Sequence, residues 1–131
     1  LPSFSPHMSL IYVDTNIIMD FLLDRDSSSA TFFYNTVRCA HRVVISDLTL
    51  KELDYQHVDA MMEILKQAEK LHFHHITRAD KKLARKYNAR THYNDALHAA
   101  VAKNRKVDFL LTRNIRDFRH LPIRVRHPDD I

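Results

Sequence analysis

Short apolar runs alternate along this chain with stretches whose apolar residues recur at helical spacing. Leu10-Ile11-Tyr12-Val13 reads as a buried strand, and residues 16–23 (NIIMDFLL) as the helix that follows it. Residues 26–29 supply capping groups for a second helix, along which Ala30, Phe33, Val37 and Ala40 form one apolar stripe. Val43-Val44-Ile45 is the next strand. A long helix is expected over about residues 48–70, with Leu50, Leu53, Met61, Ile64, Leu65 and Ala68 turned inward. A third strand over 71–76, a basic helix over 79–87 and a helix over 94–103 come next. Phe109-Leu110-Leu111 forms a fourth strand, and residues 123–125 a short last one.

Alternation of this kind calls for a mostly parallel central sheet with helices on both faces. The expected fold is therefore an α/β class, three-layer α/β/α sandwich, one domain over residues 8–131. Residues 1–7 (LPSFSPH) read as a cloning remnant ahead of a natural start at Met8. Ligands of such sheets gather beyond the carboxyl ends of the strands, which says where chemistry is to be sought.

Composition narrows that chemistry. Glycine is absent, so there is no glycine-rich dinucleotide turn, no phosphate loop and no nucleophile elbow built on flanking glycines. Turns fall to Asn, Asp and Pro, with Asn88, Asn104 and Asn114 placed where turns are needed. Cys39 is the only cysteine. A lone thiol makes no internal disulfide, which points to a reducing, cytoplasmic setting. No apolar run nears the ~18 residues of a membrane span, so no membrane partner is expected. The formal net charge of +4 fits a polyanionic partner without demanding one.

The acids fall at informative places. Asp14 directly follows the first strand, Glu52 lies in the helix after the second, Asp95 opens the helix over 94–103, and Asn114 and Asp117 follow the fourth strand. In a parallel sheet these groups emerge at one edge. Carboxylates gathered without cationic partners repel one another, and a divalent cation relieves that repulsion. An all-oxygen donor set suits Mg²⁺ or Mn²⁺ rather than zinc. Two such ions roughly 3.5–4 Å apart stabilise both the attacking and the leaving oxygen in phosphodiester hydrolysis. Each acid alone has a plainer reading: Asp14 as a helix cap, Thr49 with Glu52 as a capping box, Asp95 as a helix-start charge, Asp117 as a turn residue. Together, at strand ends, they favour a site.

The segments YVDTNIIMDFL, SDLTLKEL, YNDALHAAVA and LLTRNIRDF resemble, in order, the signature segments of PIN domains, in particular the VapC-like toxins of toxin–antitoxin modules. The resemblance spans residues 10 to about 125. It implies that Asp14, Glu52 and Asp95 are the core catalytic, metal-binding acids, with Asn16 and Thr112 as polar supports. For the fourth acid two positions compete. Many members have Asp where this chain has Asn114, and others use an acid three residues later, here Asp117. An amide is no anionic ligand, so Asp117 is the expected fourth catalytic and metal-binding residue, directly or through a water, with Asn114 supporting it. The resemblance further implies a Mg²⁺- or Mn²⁺-dependent endoribonuclease that leaves 5′-phosphates, forms a homodimer and is inhibited by a cognate antitoxin protein.

Arg113, Arg116 and Arg119 flank the last segment and are candidate RNA contacts, read equally well as solvated surface. For Arg78, Lys81, Lys82, Arg85 and Lys86 a solvated helix face is favoured. His72, His74 and His75 are expected as edge or partly buried residues rather than a zinc site, His98 as a packed histidine, and Cys39 as a small core residue. Ala96, Ala99, Ala100 and Ala102 suggest close helix–sheet packing. The competing functions are an RNA-processing or structure-specific nuclease on the same fold, and an RNA-binding or scaffold protein with a degenerate site, which Asn114 keeps open. A phosphatase with an aspartyl nucleophile is disfavoured, because Asn16 stands where a second Asp is wanted.

Overall fold

The computed structural model of the chain describes residues 9–38, 41–53, 59–60, 62–63, 66–67 and 69–131. Its strands are β1 (Leu10–Val13), β2 (Arg42–Ser46), β3 (Leu71–His74), β4 (Phe109–Leu111) and β5 (Val125–Arg126). They pair in the order β3-β2-β1-β4-β5, and every pairing is parallel. The helices are α1 (Thr15–Leu22), α2 (Ser27–Arg38), α3 (Asp47–Glu52), α4 (Arg78–Tyr87), α5 (Tyr93–Arg105) and the short α6 (Ile115–Phe118). The predicted α/β/α sandwich is present, with a sheet that is wholly parallel.

Side chains alternate along each strand and so divide between two cores. Tyr12, Val44 and Leu110 belong to one, packed with Ala84 of α4 and with Ala96, Ala99 and Ala100 of α5. Small residues on α5 let that helix approach the sheet closely, as the alanine pattern suggested. Ile11, Val13, Val43, Ile45 and Leu111 belong to the other core, with Ile17 and Ile18 of α1 and Phe32 and Phe33 of α2. Asp26 caps α2, its Oδ2 accepting from the Ser29 backbone N–H at 2.9 Å.

The helix expected over 48–70 does not run unbroken. α3 ends at Glu52, and Leu53 is extended (φ −93°, ψ 146°). The reason lies in what α3 buries: Leu48 enters the α5-side core, whereas Leu50 and Leu53 enter the α1-side core. α3 therefore crosses the carboxyl edge of the sheet instead of lying along one face. β3 stops at His74, and the last strand is one or two residues later than expected. α6 has no counterpart in the sequence reading, since four residues cannot display a 3.6-residue period. The expectations for residues 1–8, Cys39, Ala40, the Val37 side chain, Met61, Ile64, Leu65 and Ala68 lie outside the described residues. No described helix is long and apolar enough to cross a membrane.

β1 has β2 on one side and β4 on the other, because the chain runs outward through β2 and β3 before crossing back. The order switches between β1 and β4, and a crevice at their carboxyl ends is where such sheets bind ligands. The Asp14 N–H donates to Leu111 O there, at 2.9 Å.

Candidate active site

Asp14 leaves the end of β1 as the residue preceding α1, yet its side chain makes no capping hydrogen bond. The plain capping role is thereby removed. Its carboxylate is only 5% exposed and accepts a 2.8 Å bond from Thr112 Oγ1 at the end of β4. Thr112 in turn accepts from the Asn114 backbone N–H at 2.9 Å. Thr112 and Asn114 thus hold one oxygen of Asp14 across the switch point. Asn16 lies exposed on the first turn of α1.

Glu52 is placed differently from the capping-box reading. Ser46 precedes α3, and its N–H donates to Thr49 Oγ1 at 3.1 Å, so Thr49 is already engaged at the helix start and Glu52 falls at the helix end. Glu52 Oε1 accepts from Thr15 Oγ1 at 2.7 Å and from His98 Nε2 at 2.8 Å, and Oε2 accepts from Asn94 Nδ2 at 3.2 Å. The donors Thr15 and Asn94 are the sequence neighbours of Asp14 and Asp95, which brings Glu52 to the same edge. Burial raises the Glu52 carboxyl, but the hydrogen bond and charge of His98, with Thr15 and Asn94 behind it, hold it below its ordinary value.

His98 is the residue that sequence reasoning undervalued. It is packed, as expected, at 1% exposure, but both ring nitrogens are engaged. Nδ1 lies 2.6 Å from the Tyr12 hydroxyl, which is also 2.8 Å from Ser46 Oγ. An ionised Glu52 only accepts, so Nε2 carries the proton that faces it. A buried chain Ser46–Tyr12–His98–Glu52 therefore joins the start of α3 to its end through β1 and α5. Burial keeps the Tyr12 hydroxyl protonated, its pKa far above the ordinary value. A polar residue at strand position Tyr12, with a histidine on an otherwise small-residue helix face, was the available signal.

Asp95 sits in the first turn of α5. A helix start ordinarily favours an ionised acid, yet here the carboxyl is raised from 3.8 to about 6. Burial is the largest cause, and the charges of Asp14 and Asp117 add to it, against weaker opposing effects of His98 and His92. Asp95 therefore lies within the field of both Asp14 and Asp117. Among the described residues no lysine or arginine is ion-paired with them or with Glu52. Nor do three acids or histidines close into a ready metal cage among the described residues. Glu52 faces its three donors, and Thr112 takes one oxygen of Asp14. The donor set still fits a hard cation, because Mg²⁺ is commonly held by one or two carboxylates and keeps several waters.

The three arginines separate. Arg113 is tied to Asp20 of α1, which is 0% exposed, through Nε and through Nη2 at 3.1 Å, and Arg25 joins the same carboxylate at 3.2 Å. This pair fastens the β4–α6 loop to α1, so the Arg113 charge is engaged within the fold. Arg116 and Arg119 are exposed. Arg78, Lys81, Lys82, Arg85 and Lys86 are exposed along α4, the solvated face expected of them. His74 Nε2 is bound to Asp80 at 2.7 Å, and Asp80 also accepts from Thr77 and Asn104, which makes that histidine a structural partner of α4.

Asn114 precedes α6 without a side-chain capping bond, whereas Asp117 acts on Asp95 through its charge. Asp117→Asn is accordingly expected to lower activity at least 10-fold, and Asn114→Ala less than that, since only the former removes a charge from the acid group. Cleavage rates of the two variants at saturating Mg²⁺ check this. The reverse order would assign the fourth position to the amide.

The PIN-domain family profile matches residues 11–116. The chain belongs to the PIN-domain family. Among solved structures it is similar to a chain of a toxin–antitoxin complex from Klebsiella pneumoniae, at 20% identity over 90% of this chain and 97% of that one, with a TM-score of 0.67. It is similar to a chain of DNA-bound VapBC from Salmonella typhimurium at 19% identity, covering 92% and 98%, with a TM-score of 0.67. The VapBC2 complex of Rickettsia felis bound to a promoter DNA fragment gives 17% identity, 90% and 98% coverage and a TM-score of 0.66. These likenesses speak for the fold. A comparison with curated protein sequences returns no match.

Proposed function

We propose that the chain is an endoribonuclease that uses Mg²⁺ or Mn²⁺ held by Asp14, Glu52, Asp95 and Asp117, and that it is the toxin of a toxin–antitoxin module. The observation that carries this reading is the raised Asp95 carboxyl: Asp14, Asp95 and Asp117 share one sheet edge with no lysine or arginine paired to them among the described residues. A divalent cation bound there would stabilise charge on a phosphodiester and lower the pKa of an attacking water. The chain's own residues supply the frame. Thr112 and Asn114 orient Asp14, the Tyr12–His98 pair orients Glu52, and Asn16, exposed on the first turn of α1, would support a water or phosphate. The solved structures named above are toxin–antitoxin or VapBC complexes, which supports a cognate antitoxin as partner of this chain; a homodimer and a cytoplasmic setting belong to the same proposal.

Single-stranded RNA incubated with the protein is expected to be cut only with Mg²⁺ or Mn²⁺, to be spared in EDTA, and to yield 5′-phosphate ends. End-group analysis of the fragments checks all three. Undiminished cleavage in EDTA, or 2′,3′-cyclic phosphate products, would refute the metal-held mechanism. Tight RNA binding with no cleavage in either metal would favour the scaffold reading instead.

A further inference from the structure

A cleft of about 490 Å³ opens between the turn after α4 and the start of α6, with Arg90, His92, Tyr93, Arg116 and Asp117 in its wall. Its volume lies within the ~300–1,000 Å³ of ordinary ligand sites. The cleft adjoins the acid group: Asp117 lines it, and His92 and Tyr93 in its wall lead directly into Asp95 at the start of α5. Two arginines and one histidine line it with a single acid, Asp117. Arg116 is exposed and has no ion pair among the described residues. Arg90 is steadied by a 3.0 Å bond from Nη1 to His120 O, which leaves its other N–H groups for a ligand. Tyr93 is 38% exposed, one of three large apolar side chains left exposed among the described residues, and it stands directly before Asn94 and Asp95.

An exposed aromatic ring with flanking cations is the chemistry that holds an unpaired nucleotide. The ring stacks on the base, and the cations take the phosphates. We infer that this cleft is a nucleotide subsite: it seats one unpaired RNA residue next to the scissile phosphate, its base on Tyr93 and its phosphate on Arg116 and Arg90. The inference rests on the ribonuclease reading above and adds what that reading lacks, a place for one nucleotide of the strand. It also makes the enzyme selective for single strands, because a paired base cannot turn its face to Tyr93.

The test is equilibrium binding of a fluorescein-labelled, mixed-sequence 12-nucleotide RNA in EDTA, read by anisotropy, so that cleavage plays no part. Tyr93→Ala should weaken binding roughly 5- to 100-fold, the usual effect of losing one base stack, and Tyr93→Phe should restore it. Arg116→Ala should weaken binding and reduce the slope of log Kd against log salt by about 0.7, one phosphate contact on a single strand. Arg124→Ala, beside a cavity at the opposite edge of the sheet, removes the same charge and should change neither. The duplex form of the oligomer should bind wild type and Tyr93→Ala alike. In cleavage assays with Mg²⁺ the Tyr93→Ala loss should appear in KM more than in kcat. Wild-type RNA binding that is untouched by Tyr93→Ala and Arg116→Ala would overturn the subsite and leave the ribonuclease reading intact. Loss of antitoxin binding with RNA affinity unchanged would overturn it too, marking the cleft as a protein contact. Failure of the wild type to bind RNA in EDTA while it still cleaves RNA with Mg²⁺ would overturn the subsite alone, and neither binding nor cleavage would remove both readings.

Discussion

Asp95→Asn is expected to abolish RNA cleavage while leaving the metal-free protein as stable as the wild type, or more so. The two effects have one origin. Asp95 lies half-buried within the field of Asp14 and Asp117, and its carboxyl is raised from 3.8 to about 6. The folded state therefore holds the Asp95 proton more tightly than the unfolded chain does. Its contribution to stability is full below about pH 4 and is lost as pH rises through about 6. At neutral pH the ionised group works against folding, and the isosteric amide removes that opposition. The same change takes a charge from the cation's ligands, and several kcal/mol of transition-state stabilisation goes with it, roughly a 10²–10³-fold loss or more. Thermal melts between pH 4 and 8, with and without Mg²⁺, separate these terms. The wild type should lose stability relative to the variant as pH rises without metal, and regain it when Mg²⁺ is added. An active variant whose melting responds to Mg²⁺ as the wild type does would refute the role given to Asp95.

His98→Ala carries the second large effect, on stability and on metal affinity together. The ring is buried and makes 2.6 Å and 2.8 Å contacts with Tyr12 and Glu52. Truncation leaves a cavity and takes from the buried Tyr12 hydroxyl one of its two partners, about 2–4 kcal/mol in all. It also takes from Glu52 Oε1 one of its two orienting donors, leaving Thr15, and loss of such a partner commonly lowers metal affinity or activity ~10–100-fold. His98→Gln distinguishes positioning from packing. Its amide can still donate toward Glu52, so Mg²⁺ affinity should return in part even where stability does not. If His98 served packing alone, both variants would lower the melting temperature and leave the Mg²⁺ titration of the folded protein unchanged. Calorimetric Mg²⁺ binding below each variant's melting range reads the difference.

The parts of this molecule that were legible in the sequence are those fixed by local pattern. β4 falls on Phe109–Leu111 because three apolar residues stand between polar flanks, and α5 follows from the buried alanines. The acids could be placed at one edge because parallel strands end together. What stayed hidden depends on contacts between residues far apart in the chain. The heptad-like run through Leu50 and Leu53 promises one long helix, and only the two cores on either side of the sheet show why α3 must stop at Glu52. Arg113 resembles a free surface charge until Asp20, 93 residues earlier, is found buried beneath it. His98 resembles core packing until Tyr12 and Glu52, 86 and 46 residues away, are seen on its two nitrogens. Charge and polarity were readable; their partners were not.

The strand order β3-β2-β1-β4-β5 bears on how the protein is made. Asp14 leaves the ribosome ahead of the other acids of the site, but β4, its neighbour in the sheet, follows only at residue 109, and Asp117 later still. At ~5–20 residues per second the 103 residues from Asp14 to Asp117 (117 − 14) take about 5–20 s to appear. Throughout that interval Asp14 lacks Thr112, and the carboxyl edge lacks one wall. A chain that stops before β4 and α6 is thus without the proposed activity, and competence arrives abruptly, once both have emerged.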